Sequence, residues 1–211
     1  MVEIEYFGGN AVKITSNKQV AAIDPRRSHF GLEDLNAKQA IEIVTANNLA
    51  VNDSEAILLV DGPGEYEVHG YSIKGVSANA YQDMDKNCKN NNIYSIEIDD
   101  VKIAILGNVE AKLSESQLED VGVVDILILP VGGGGFTLYG KEAAKIVKQI
   151  EPKIAVPIHF AGDGLNYEVA QDTDDEFTGE LGAEVEKMDK LVIKKLTDLP
   201  ENLKVIKLVR H

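Results

Sequence analysis

The sequence predicts an α/β protein built from two sheets covered by helices, and three observations carry that expectation. Segments alternating at period two dominate the first third of the chain, as half-buried strands do. Asp125-Ile126-Leu127-Ile128-Leu129 is apolar almost throughout, as a strand covered on both faces requires. Lys141 to Ile150 carries Ala143, Ala144, Ile146, Val147 and Ile150 at helical spacing and stops at Glu151-Pro152. Strands in both halves, with helices interposed mainly later, suit two layers of sheet under helices.

The elements follow in order. Val2 to Phe7 alternates and ends at Gly8-Gly9; Ala11 to Ile14 follows, then the turn Ser16-Asn17-Lys18. Gln19 to Ile23 runs into Asp24-Pro25, where proline ends ladder pairing. A short helix is expected over residues 31–42, leading into a brief strand at Ile43-Val44. Ala56 to Val60 reads as a buried strand before the turn Asp61-Gly62-Pro63-Gly64, and a hairpin is expected around Gly70. Residues 82–92 are polar and read as an exposed loop. Strands over 93–98 and 101–106 meet at Asp99-Asp100. Ser114 with Gln117 marks a helix start. Gly132 to Gly135 is a four-glycine loop. A short helix near 174–181 and strands near 191–196 and 203–209 complete the chain.

With 211 residues, no internal linker and no low-complexity segment, one domain over 1–211 is expected. The net charge of −14 argues against nucleic acid, because phosphate contact needs clustered Lys and Arg. No apolar run approaches the roughly 18–20 residues of a membrane span. The single Cys88 rules out an internal disulfide framework and fits a reducing, cytoplasmic compartment. A strand pattern from Met1 gives no sign of a signal peptide.

The ordered set of segments resembles the metallo-β-lactamase superfamily, in particular its branch of zinc-dependent hydrolases. The matching pieces are Ile4-Glu5-Tyr6-Phe7-Gly8, Ile23-Asp24-Pro25, Gly62-Pro63-Gly64-Glu65-Tyr66-Glu67-Val68, Asn92 to Glu97, Leu106-Gly107-Asn108, Leu113-Ser114-Glu115, Val124 to Gly133, and Pro152 to Phe160. The resemblance implies a four-layer αββα sandwich, two mixed sheets packed face to face with helices outside. It also implies metal ions held by His and Asp and polarising a water, through an H-x-H-x-D-H cluster and later ligands.

Measured against that pattern, this chain departs at nearly every ligand. It has four histidines, His29, His69, His159 and His211, no two closer than forty residues. The resemblance places Asn48 and Ala50 at the first two histidines of the cluster, Asn52 at its aspartate and Asp53 at its last histidine. Gln82 takes the place of the next histidine, and Asn108 that of the bridging aspartate. Gly8-Gly9 stands where a glycine-histidine is often found. Only His159 remains in place, with Asp24 expected to organise the loops beneath. Neutral amides are poor zinc ligands.

The expectation is therefore a non-catalytic member of the fold, a binding or interaction module without metal or other cofactor. Its vestigial pocket is expected to comprise Asp24, Asn48, Asn52, Asp53, Gln82, Asn108 and His159, with no catalytic residue. A small polar ligand or a protein partner is expected there. The alternative is an active hydrolase, either with an atypical metal set such as Asp24, Asp53, Asp83 and His159, in which zinc returns as cofactor, or requiring no metal. A third reading is a structural subunit of an assembly. His69 is expected to be exposed, Cys88 lacks a neighbouring base, and the glycine loop reads as a tight turn rather than a phosphate cradle.

Overall fold

The protein is described by a computed structural model over residues 1–81 and 90–211. Alternation at the N-terminus becomes a meander of β1 (Val2–Gly8), β2 (Ala11–Ser16) and β3 (Gln19–Ile23). Every second residue of β1 is buried, so its apolar positions face one core. Two short strands, β4 (Ile41–Ile43) and β5 (Leu58–Val60), extend this sheet in parallel.

The second sheet begins with the expected hairpin of β6 (Gly64–Val68) and β7 (Tyr71–Asn79), followed by β8 (Asn90–Ile98) and β9 (Val101–Leu106). Asp99 and Asp100 turn the β8–β9 hairpin with φ of 50° and 63°, the left-handed pair that a two-residue connection needs. Next come α1 (Glu115–Val121), β10 (Ile126–Pro130), α2 (Gly140–Ile150), β11 (Ile154–Ile158) and α3 (Asp175–Leu181). Ser114 and Gln117 form the expected reciprocal cap on α1. The chain closes with β12 (Glu184–Met188), β13 (Lys190–Ile193) and β14 (Lys204–Leu208).

The strand orders are β13-β1-β2-β3-β4-β5 and β12-β14-β11-β10-β9-β8-β7-β6, and both sheets are mixed. Their facing sides share one core, in which Ile4, Ile14 and Ile23 of the first sheet join Ile73, Ile96 and Ile103 of the second. Each fully buried isoleucine contributes about 1.5–3 kcal/mol by leaving water. The second sheet's outer face is covered by the helices, with Ile146 and Val147 of α2 and Phe177 of α3 in its core. On the first sheet's outer face the segment after β3 lies over Ala22 through Ala37 and Ala40.

That segment corrects the expected helix over 31–42. It has a 3-10 turn at Ser28–Phe30 followed by irregular backbone. Asp34 accepts hydrogen bonds from the backbone N–H of Arg27 and Ser28, and Asn36 accepts one from Lys38. Such local bonds offer the backbone an alternative to the helix. The polar run assigned to an exposed loop is corrected at its end, since Asn91 and Asn92 are buried members of β8. Their side chains donate to the backbone oxygens of Asn108 and Thr45. Strand β12 escaped sequence detection because it is a charged edge strand, mostly exposed. Among the described residues no helix is long and apolar enough to cross a membrane.

Candidate functional site

The carboxyl ends of β3, β9 and β11 place Asp24, Asn108 and His159 at one mouth of the sandwich, the usual location of sites in α/β sheets. Asp24 and His159 follow their strands directly, and both take left-handed backbone, with φ of 45° and 50°. Asp and His tolerate that region better than most side chains, at a cost of about 1–3 kcal/mol. The fold over-determines both residues. His159 N–H donates to the Gly9 carbonyl at 3.0 Å, and Asp24 N–H to that of Ile43 at 2.9 Å.

A residue the sequence reading passed over joins these three. Asn10 opens the β1–β2 turn and is buried, with 1% exposure. Its carboxamide contacts the His159 imidazole at Nδ1, and its Nδ2 donates to Asn108 Oδ1 at 3.0 Å. Asn10 also neighbours the Asp24 carboxyl, which accepts 2.7 Å bonds from Thr45 N–H and Oγ1. Nothing in a lone asparagine beside a Gly-Gly turn signals this convergence.

Burial sets the protonation of the two ionisable members. It depresses His159 to about 3, so the imidazole is neutral at pH 7. It raises the Asp24 carboxyl to about 7, against the opposing pull of the Thr45 and Asn10 hydrogen bonds.

Above this group lies a cavity of about 280 Å³. Asn48, Asn91, Asn108 and Gln171 supply its amides, and Phe30, Tyr81, Phe136 and Tyr167 its rings. Tyr167 stacks on His159 at 4.7 Å between ring centroids, and Phe30 meets the imidazole edge-on at 5.2 Å. His29, Glu168 and the tyrosines are its other ionisable residues, and the described lining contains no Lys or Arg.

The expected pocket residues divide. His159, Asn48 and Asn108 line the cavity, and Asp24 lies beneath as an organising residue. Asn52 and Asp53 do not reach it. Their loop is held elsewhere, because the buried carboxylate of Glu42 accepts the backbone N–H groups of Val51, Asn52 and Asp53. Asp53 therefore also falls out of the atypical set proposed with Asp24 and His159. Gln82, Asp83 and Cys88 lie outside the described residues. His69 is exposed as expected.

The glycine loop has a packing reason. A Cβ at Gly132 would stand 2.3 Å from the His159 carbonyl oxygen, so only glycine lets these strand ends approach. The N–H groups of Gly133, Phe136 and Thr137 are bonded within the turn, which leaves them unavailable to cradle an anion.

Comparison with known proteins now places this sandwich in a family. A profile of the β-lactamase superfamily domain matches residues 3–159. The chain belongs to this superfamily, and its fold is that of the metallo-β-lactamases. It is 34% identical over 117 residues to a protein of Thermococcus onnurineus named UPF0173 metal-dependent hydrolase, covering 54% of this chain and 52% of that one. A relative of the same name in Pyrococcus horikoshii is 34% identical over 110 residues, covering 51% and 48%. The chain thus matches about half the length of these curated relatives. A solved metallo-β-lactamase superfamily structure from Thermotoga maritima superposes with a TM-score of 0.74 at 20% identity, covering 99% of this chain and 100% of that one. Igni18, a metallo hydrolase of Ignicoccus hospitalis, gives 0.63 at 15% identity, covering 99% and 95%. These likenesses show the fold.

The family corrects the expectation of no cofactor, because relatives named metal-dependent hydrolases imply metal ions. The donors described here do not fit the family's zinc site. Among the described residues no group of three or more His, Cys, Asp or Glu side chains stands together. Beside His159 stand neutral amides; Asp24 lies beneath, and His29 and Glu168 line the cavity without grouping with it, whereas a catalytic zinc takes about three imidazole, thiolate or carboxylate ligands together.

Proposed function

We propose that this protein is a hydrolase of the metallo-β-lactamase superfamily with an atypical site, acting on a small, uncharged, polar molecule in the His159 cavity. Family membership and the names of its relatives support the reaction class. The observation that carries the location is a buried, neutral imidazole in the wall of a 280 Å³ cavity at the carboxyl ends of parallel strands. That volume lies near the lower end of ligand pockets, about 300–1,000 Å³. An uncharged substrate fits the lining, where amides offer hydrogen bonds, rings offer apolar contact, and the described residues include no Lys or Arg to meet an anion.

No step through a metal is assigned, since the described donors do not form a metal site. The chain's own contribution is orientation. Amides hold the polar groups of the bound molecule, rings exclude water, and the neutral imidazole supplies one acceptor nitrogen.

The test measures tightly bound metal in the purified protein and turnover of uncharged esters, lactones and amides, with and without Zn²⁺, Mn²⁺ or Fe²⁺. Turnover that falls by about 100-fold in His159→Gln supports the proposal. Its absence under every condition would overturn it.

A binding module is the second reading, favoured by one observation: Asn10 already bonds both His159 and Asn108 with protein atoms. Under that reading, uncharged polar compounds stabilise the protein against heat without being consumed.

A further inference from the structure

Among the described residues, Asn10 is the side chain that bonds both His159 and Asn108, and it lies beside Asp24. Its orientation follows from its partners. Its Nδ2 donates to Asn108 Oδ1 at 3.0 Å, which fixes the NH₂ end of the amide. The carboxamide oxygen is left for His159. An amide oxygen can only accept, so the bond between them needs the proton on the imidazole Nδ1.

The ring plane is fixed independently. Tyr167 lies against one face at an interplanar angle of 23°, and Phe30 abuts at 77°. A ring held in plane and bonded at one nitrogen has a single defined acceptor, its other nitrogen. Free imidazole in water prefers the opposite arrangement, with the proton on Nε2.

We propose that Asn10 is the positioning residue of this site: it locks His159 in the Nδ1–H tautomer, leaving Nε2 as the lone-pair nitrogen. The site therefore selects a bound molecule, or water, that presents an O–H or N–H to that nitrogen. The tautomer is a property of the resting protein and holds whether or not the hydrolase reading does.

The experiment is ¹⁵N NMR of the imidazole nitrogens in ¹⁵N-histidine-labelled protein at pH 7.5, with His159 assigned by its loss in His159→Gln. The expected result is a protonated Nδ1 and an unprotonated Nε2 for His159. In Asn10→Ala the protonated-Nδ1 signature is lost, replaced by Nε2–H or an exchange average, with the backbone spectrum otherwise retained. Asn10→Asp, which keeps an oxygen at the same place, restores the Nδ1–H form. An Nε2–H tautomer in the unmodified protein overturns the proposal without any variant having to fold. An unchanged Nδ1–H signal in folded Asn10→Ala overturns it equally, because another group would then be setting the tautomer. Turnover assays on the same samples report separately on the proposed function.

Discussion

Asn10 and His159 stand 149 positions apart in the chain and meet side chain to side chain, the carboxamide oxygen on the imidazole Nδ1. One amide thereby ties the first β-turn to the end of β11 and connects both to Asn108. Replacing it should disturb several buried groups at once. Asn10→Leu is expected to lower stability by about 2–4 kcal/mol, since buried groups on two partners, His159 and Asn108, lose their bonds. Urea unfolding with an unchanged slope checks this; a loss under about 0.5 kcal/mol would show that the network carries little energy.

Glu42 anchors the loop of residues 51–53. Its side chain is fully buried and accepts three backbone N–H groups at 2.7, 3.0 and 3.1 Å. Glu42→Ala leaves those donors unpaired and is expected to cost about 3 kcal/mol. Glu42→Gln should recover only part of that, because one of its terminal groups becomes a donor facing a donor. Amide exchange at residues 51–53 should accelerate in both variants, and protected exchange in Glu42→Ala would contradict the anchoring role.

Two glycines of the 132–135 loop should respond unequally to alanine. At Gly132 the new Cβ would meet the His159 carbonyl oxygen at 2.3 Å, backbone against backbone. At Gly135 nothing lies within 4 Å, and only the φ of 77° resists substitution. Gly132→Ala is expected to lose about 3 kcal/mol or to misfold, and Gly135→Ala about 1 kcal/mol. Thermal melts of the pair decide the matter, and equal losses would argue against close approach as the reason for Gly132.

Acid should expose His159. Its folded pKa, near 3, lies below the ordinary 6.5, so the unfolded chain takes up a proton in that interval and the native state does not. Its contribution to stability is complete above pH 6.5 and is lost as pH falls from there toward 3. Asp24 acts in the opposite sense: with its pKa raised from 3.8 to about 7, its contribution is complete below pH 3.8 and declines as pH rises toward 7. The difference between the parent and His159→Gln isolates the histidine. That difference should shrink by a few kcal/mol between pH 6.5 and 4. A pH-independent difference would mean that the buried imidazole is protonated in the native state.

Much of the fold was legible locally. The alternation of Val2–Phe7, the apolar run Ile126–Leu129 and the cap at Ser114 are each written within a few residues, and each element formed there. The failures were equally local in cause. Residues 31–42 have a helix-compatible composition, but Asp34 and Asn36 bond the backbone instead. Asn91 and Asn92 read as solvent-facing until their partners, Asn108 and Thr45, came from the segments just after β9 and β4.

The sequence by itself determined the strand-rich architecture, the superfamily resemblance, and the scarcity of histidine that makes His159 stand alone. Each of these is a property of residue type and short-range spacing. Tertiary structure decided which polar residues meet His159. It brought in Asn10, Tyr167 and Phe30, and it kept Asn52 and Asp53 away by fastening their loop to Glu42. Those choices depend on how two sheets register across a shared core, and hydrogen bonds between side chains far apart in the chain leave no periodic trace along it.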